Sequence, residues 1–167
     1  MACVSEQVGI RPPSPSDLTW EGDWGRDKQM VISESGMEEL TLLKGLLAGG
    51  ITMGLAAVFP EALVLPFFTA VLGLMAGVYP GVAMADPLVG SSSLQWTAAA
   101  GFLVLGLVGL WTSPLLLAGA WLLHWVWSFL HRFTALGDGV PDEYPGFCLS
   151  YDLVMAGFVS YMWGVGV

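Results

Sequence analysis

Both histidines of the chain lie in one short run, HWVWSFLHR, from His124 to Arg132. Seven residues make about two turns of an α-helix, so His124 and His131 project from nearly the same side, roughly 10 Å apart along the axis. Imidazole can accept, donate or relay a proton near neutral pH, and it also ligates metals. Because this separation is long and the HExxH spacing is absent, a metal ion held by these two rings alone is not expected.

Asp152 lies in the next apolar segment, with Cys148 one helical turn before it. A charged side chain within a membrane span costs about 2.5 to 3.5 kcal/mol, so such a residue usually faces the interior of a bundle and finds a partner. If the two segments are neighbouring helices, Asp152 lies at a depth between the two imidazoles. We therefore predict His124, Asp152 and His131 as catalytic acid–base residues. The same three residues are the alternative set of metal ligands.

Four further side chains are predicted to support this pocket: Asp86, Ser128, Tyr144 and Cys148. Ser128 lies between the two histidines, and the other three are expected on the same side of the membrane. No pattern identifies a cofactor, and the residues are equally compatible with none. A histidine and an aspartate in contact can also simply hold two helices together, so the structural interpretation stays open beside the functional one.

The elements that must position these residues are predicted to be membrane-spanning helices. The chain of 167 residues is 55% hydrophobic and 11% charged, with a mean hydropathy of +0.70, whereas soluble domains carry about 25% charged residues. Continuous apolar runs without alternation favour helices over a β-barrel. We predict an all-α, polytopic transmembrane bundle with five spans at about residues 40–59, 63–84, 94–111, 115–131 and 147–163. Four spans with a re-entrant fifth segment is the alternative.

Residues 1–36 are polar and contain three closely spaced prolines, which predicts a disordered tail, followed by the helical bundle over 37–167. Four of the five cations, Arg11, Arg26, Lys28 and Lys44, precede or begin the first span, and Arg132 follows the fourth. By the positive-inside rule, the N-terminus is cytoplasmic and the C-terminus lies outside. In a prokaryote this places the protein in the plasma membrane.

The composition also bounds the partners. A net charge of −9 with no basic cluster argues against nucleic acid as a partner. Two cysteines do not form a disulfide framework. Glycines recur at four-residue spacing, as Gly45 with Gly49, Gly50 with Gly54, and Gly73 with Gly77 and Gly81. This spacing lets helices approach closely, within the chain, in a homo-oligomer or against another membrane protein.

Three stretches, GVYPGVAMAD (77–86), HWVWSFLHR (124–132) and VPDEYPGFCLSYDL (140–153), resemble a family of small bacterial and archaeal integral membrane proteins of unknown function. The resemblance covers about the last 120 residues. The family pattern is matched at His124, Trp127, His131, Tyr144, Pro145, Cys148 and Asp152. It departs at Ser128, where the family has an acid, and at Arg132, where it has a second histidine, and both departures weaken a metal site. The resemblance implies which residues matter and no activity.

The sequence leaves three functional hypotheses. The first is a cytoplasm-facing intramembrane His/Asp site that acts on a lipophilic or protonic substrate. The second is a non-enzymatic accessory or scaffold subunit of a larger membrane complex, and the third is a small transporter.

Overall fold

The computed structural model of the protein describes residues 23–85, 92–134 and 140–164, and it describes side-chain surroundings from residue 38 onward. All regular structure in these ranges is α-helical, which confirms the all-α prediction. The five helices are α1 (Asp23–Ala56), α2 (Glu61–Ala85), α3 (Ser92–Thr112), α4 (Pro114–Phe133) and α5 (Glu143–Gly164).

Three of these helices contain segments long and apolar enough to cross a membrane within the described residues. The segments are Glu38–Ala56 in α1, Glu61–Ala85 in α2 and Ser93–Thr112 in α3. Their bounds fall close to the first three predicted spans. Helices α4 and α5 are not in this set, because they carry most of the polar residues that the sequence analysis selected.

Helix α1 begins at Asp23, within the segment that the sequence predicted as a disordered tail up to residue 36. The chain has no proline between Pro15 and Pro60, so no residue there lacks the backbone N–H that a helix needs. By its contacts the chain divides into two units, Met1–Gly36 and Met37–Val167. All contacts described below belong to the second unit.

The short connections follow their local chemistry. Pro114 occupies the first turn of α4 after Ser113, a position where the missing N–H is not required. Helix α5 begins at Glu143, before the predicted start at residue 147, and takes Tyr144 and Pro145 into its first turn. The Tyr144 N–H donates to the carbonyl of Pro141 at 2.9 Å, which closes the turn that leads into the helix.

Contacts between helices fix their directions. Thr41 lies against Gly146 and Gly49 against Val154, so α1 and α5 run parallel. Leu115 lies against Gly164, whereas His124 contacts Asp152, so α4 and α5 run antiparallel.

Helices α3 and α4 are also antiparallel. Gln95, near the start of α3, bonds His131, near the end of α4. Gly109, near the end of α3, packs on Leu117 in α4. We call the side of the bundle with Gln95 and His131 the Gln95 end, and the opposite side, where α2 begins, the Glu61 end.

The interior differs between these two ends. Toward the Glu61 end lies an apolar core of fully or nearly fully buried side chains, which includes Phe68, Leu72, Leu117, Trp121, Met155 and Val159. Toward the Gln95 end the buried side chains include Gln95, Ser128, His131 and Tyr79. The candidate site lies where these two parts of the interior meet.

Candidate functional site

Helix α4 places the site residues on one buried stripe. Leu117, Trp121, His124, Ser128 and His131 follow one another at three- and four-residue spacing, and all are at most 4% exposed. This spacing keeps the side chains on one face of a helix. The opposite face exposes Leu122, Leu123, Val126 and Phe129. The sequence prediction that the two histidines share a face is therefore confirmed.

His124 and Asp152 form the centre of the site. The Nδ1 atom of His124 lies 2.8 Å from Oδ2 of Asp152, and both side chains are fully buried. His124 comes from the middle of α4 and Asp152 from the middle of α5, which brings them together because the helices run antiparallel. The interior-facing pair expected for an intramembrane acid is therefore present in the structure.

Each member of this pair keeps one polar atom without a partner among the described residues. These atoms are Nε2 of His124 and Oδ1 of Asp152, and both are buried. An ionised carboxylate can only accept a hydrogen bond, so it holds the proton of a neutral imidazole on Nδ1. The lone pair of Nε2 is then available to accept a second proton.

The second histidine lies in a different set of hydrogen bonds. His131 Nδ1 lies 3.0 Å from the carbonyl oxygen of Trp127, one turn earlier in α4. A carbonyl only accepts, so this contact places a proton on Nδ1. His131 Nε2 lies 2.9 Å from Nε2 of Gln95, where a neutral imidazole accepts from the amide N–H. Both nitrogens of His131 are therefore occupied, in contrast to those of His124.

Sequence reasoning missed two residues of the site, Tyr79 and Gln95. The Tyr79 hydroxyl donates to Oγ of Ser128 at 3.0 Å, and its ring lies 4.5 Å from that of His131 and 5.9 Å from that of His124. Tyr79 belongs to the stretch GVYPGVAMAD, yet a tyrosine in an apolar run carries no signal of its own. Gln95 is one of the polar residues at the start of α3. Its side chain is only 2% exposed, and this burial, which the sequence does not reveal, places it in the site.

The structure describes three of the four residues that were predicted to support the pocket. Cys148 is fully buried and lies beside Tyr144, Ser128 and Tyr79. Tyr144 donates a short hydrogen bond to the carbonyl of Met75 in α2. Ser128, Cys148 and Tyr144 therefore lie close to Tyr79 in the interior, and their supporting role stays a prediction. Asp86 lies outside the described residues.

The structure does not gather the alternative metal ligands. His131 is bonded to Gln95 and Trp127, while His124 is bonded to Asp152. Within the described ranges, no three His, Cys, Asp or Glu side chains lie close enough to hold a metal ion. Two turns of helix separate the imidazoles, so the structure does not bring His124, His131 and Asp152 together as one set of ligands.

An ion cluster lies beyond His131 at the Gln95 end. Arg132 contacts Glu38 of α1 closely, and its other terminal nitrogen lies 3.7 Å from Asp142, just before α5. The arginine is partly buried, whereas both acids are exposed. This cluster links α4 to α1 and to the residue that precedes α5, at the Gln95 end of the bundle.

Comparison with family models, with characterised proteins and with solved structures found no match.

Proposed function

We propose that α4 and α5 cross the bilayer together with the three more apolar helices, which gives five spans. They contain 20 and 22 residues, or about 30 Å of helix at 1.5 Å per residue, the thickness of the hydrocarbon core. Their polar side chains face inward while α4 exposes leucine, valine and phenylalanine. The mean hydropathy of a helix averages over both of its faces, whereas lipid contacts only the outer face. A helix with a polar inner face can therefore cross the bilayer with a lower mean hydropathy.

The Gln95 end is proposed to face the cytoplasm. Arg132 lies at this end, Lys44 lies beside Gly45, which packs against Phe147 near the start of α5, and the other three cations precede Lys44 in the chain. The positive-inside rule then assigns the cytoplasmic side. His124 and Asp152 lie near mid-depth, with Ser128, Tyr79, His131 and Gln95 between them and that surface. The resemblance to the bacterial and archaeal family is consistent with this choice of residues.

The function we propose is reversible proton transfer at His124, with Asp152 as the residue that orients and charges the imidazole. The buried, unshared Nε2 atom of His124 is the observation that supports it. A pair that only joined two helices would be expected to satisfy its remaining buried polar atoms, because each unmet group costs about 1 to 3 kcal/mol. Nε2 takes up a proton from the substrate, Asp152 stabilises the imidazolium, and release of the proton restores the neutral ring.

The substrate class follows from the surroundings. The interior between the pair and the Glu61 end is filled by apolar side chains such as Leu72, Leu117 and Met155. A transporter needs polar access from both sides, so this core argues against the transport hypothesis. The site fits a proton, or a lipophilic molecule with an acidic hydrogen, that reaches it from the cytoplasmic side or laterally from the membrane.

Nitrogen-15 NMR of histidine-labelled protein in lipid tests this proposal directly, because the chain has only two histidines. The H131Q variant leaves one imidazole, that of His124, so the two ring-nitrogen signals belong to its Nδ1 and Nε2. We expect its Nδ1 to stay protonated throughout and its Nε2 to gain a proton as the pH falls from about 9 to about 4. In H131Q/D152N, the preference for the Nδ1–H tautomer should disappear.

An Nε2 atom that never changes protonation in folded protein contradicts the proposal. Retention of the same tautomer in H131Q/D152N would separately contradict the role of Asp152. A silent His124 would favour the accessory or scaffold hypothesis, in which the pair only fixes helix packing. Open space beside Gly50 and Gly54 on α1 would then be the surface to examine.

A further inference from the structure

A groove at the Glu61 end is separate from the His124–Asp152 site. It has a volume of about 610 Å³ and lies between the first turns of α2 and the last turns of α3 and α5. Its walls include Glu61, Leu65, Pro66, Leu110, Trp111 and Trp163. This volume is within the range of about 300 to 1,000 Å³ that is usual for small-molecule sites.

Glu61 gives the groove a negative charge, and within the described part of Met37–Val167 no lysine or arginine forms an ion pair with it. The sequence contains no lysine or arginine between Lys44 and Arg132, nor after Arg132. Arg132 lies at the opposite end, where it contacts Glu38. A carboxylate in the first turn of α2 also favours the start of that helix, but the helix supplies no counter-ion. A cationic ligand is therefore the complementary one.

Two tryptophans flank this carboxylate. Trp111, at the end of α3, is 80% exposed, and Trp163, near the end of α5, forms another part of the wall. Indole faces attract ammonium groups, and a carboxylate next to aromatic rings strengthens this preference. Tryptophan at a helix end is also typical of the headgroup layer of a membrane. The polar part of the groove is thus at the depth where lipid headgroups lie.

The deeper wall of the groove is apolar. Leu65 and Pro66 lie one turn into α2, and Leu110 lies on α3, so these side chains face the level at which acyl chains begin. A free ammonium ion would leave this surface uncovered, whereas a lipid covers it with the first carbons of its chain.

From this combination we infer that the groove binds one membrane lipid by its ammonium headgroup, between Glu61 and the two tryptophans, with the acyl chain along Leu65 and Leu110. The inference does not depend on proton transfer at His124. It assigns to the Glu61 end a ligand different from the substrate proposed for His124.

Native mass spectrometry of the full chain, released from detergent with defined lipid, tests the inference. Phosphatidylcholine and phosphatidylglycerol with identical acyl chains are the probes, since they differ in headgroup charge. We expect the wild-type protein to retain one phosphatidylcholine about fivefold more strongly than phosphatidylglycerol. The E61Q and W111A variants should each lose most of this preference.

The matched control is E39Q, which removes an equal charge from an exposed residue at the Gln95 end and should keep the preference. Choline without an acyl chain, added in excess, should not displace the lipid. Equal retention of the two lipids by the wild-type protein would overturn the inference. So would an E61Q variant that behaves like E39Q while remaining folded by circular dichroism.

Discussion

Helix α5 packs on α4 and on α1 in different ways. Toward α4 it presents Asp152, which meets His124 at 2.8 Å in a fully buried pair. Toward α1 it meets glycines: a Cβ atom at Gly45 would overlap Oγ of Ser150 and the carbonyl oxygen of Phe147. The first interface depends on ionisable side chains and the second on their absence.

The α1–α5 interface also contains polar groups, and those described from residue 38 onward include hydroxyls that bond across the interface. Ser150 donates to the carbonyl of Leu42 at 2.8 Å, and the hydroxyls of Thr52 and Tyr151 lie 2.8 Å apart. At the α4–α5 interface, by contrast, Nε2 of His124 and Oδ1 of Asp152 have no partner among the residues that the structure describes. Close packing alone can hold helices together in lipid. Packing therefore explains the α1–α5 interface, but it does not explain why the α4–α5 interface contains a buried pair with unsatisfied polar atoms.

The largest effect is expected from separating the pair. H124A and D152A should each destabilise the folded bundle by about 3 kcal/mol, because each leaves a buried polar group alone. The double variant should lose less than the sum of the two single variants, which reports their direct coupling. Reversible unfolding in mixed detergent micelles measures all four proteins.

Strictly additive losses would show that the two residues contribute independently, and the contrast between the interfaces would then fail. The double-mutant cycle requires that each of the four purified proteins elutes as a single species. If an alanine variant does not fold, H124Q and D152N provide the same cycle with smaller changes in volume.

A second prediction concerns the glycine interface. G45A should destabilise the bundle by about 1 to 3 kcal/mol, because the new methyl group meets the backbone carbonyl of Phe147 and forces α1 away from α5. Gly50 lies on the same helix with no atom within 4 Å of its built Cβ, so G50A is the control. It should be neutral or slightly stabilising, and equal stability of G45A and G50A would contradict the close packing described here.

The smallest effect is expected from removing the hydroxyl of Tyr79, which bonds Ser128 between the two histidines of α4. Y79F removes one buried hydrogen bond to Ser128 and should cost about 1 kcal/mol. Tyr161, also in a helix but 64% exposed, gives the matched control Y161F, which should change stability little. In the nitrogen-15 spectrum, Y79F should shift His131 and His124 signals, because loss of the hydroxyl bond to Ser128 releases the ring that packs on both. An unchanged spectrum would place Tyr79 outside the site.

The positions of the helices were largely predictable because continuous apolar runs and local punctuation define them. Helix α2 begins at Glu61, two residues before the predicted span at 63, and α4 begins at Pro114, one residue before the predicted span at 115. The exception is α1, where polar residues 23–36 join the helix although their composition resembles a tail. A polar composition indicates that a segment has no apolar face to bury. It does not prevent the segment from forming a helix when the segment contains no proline.

The glycine spacing was informative only in part. Gly45 and Gly49 contact α5, and Gly73 contacts Leu103 of α3. Gly50, Gly54, Gly77 and Gly81 have the same four-residue spacing, yet they have open space where a Cβ would lie. Spacing defines a helix face, but the neighbour that the face meets depends on how the whole bundle assembles.

The sequence by itself determined that the chain forms apolar helices, and that His124, Ser128 and His131 share one face of one helix, because helical periodicity is local. It also singled out Asp152 as an acid that needs a partner, because charge is costly in an apolar segment. Only the tertiary structure decided that this partner is His124 and that His131 bonds Gln95 instead. That choice depends on the relative height and rotation of three helices, which packing between distant residues sets.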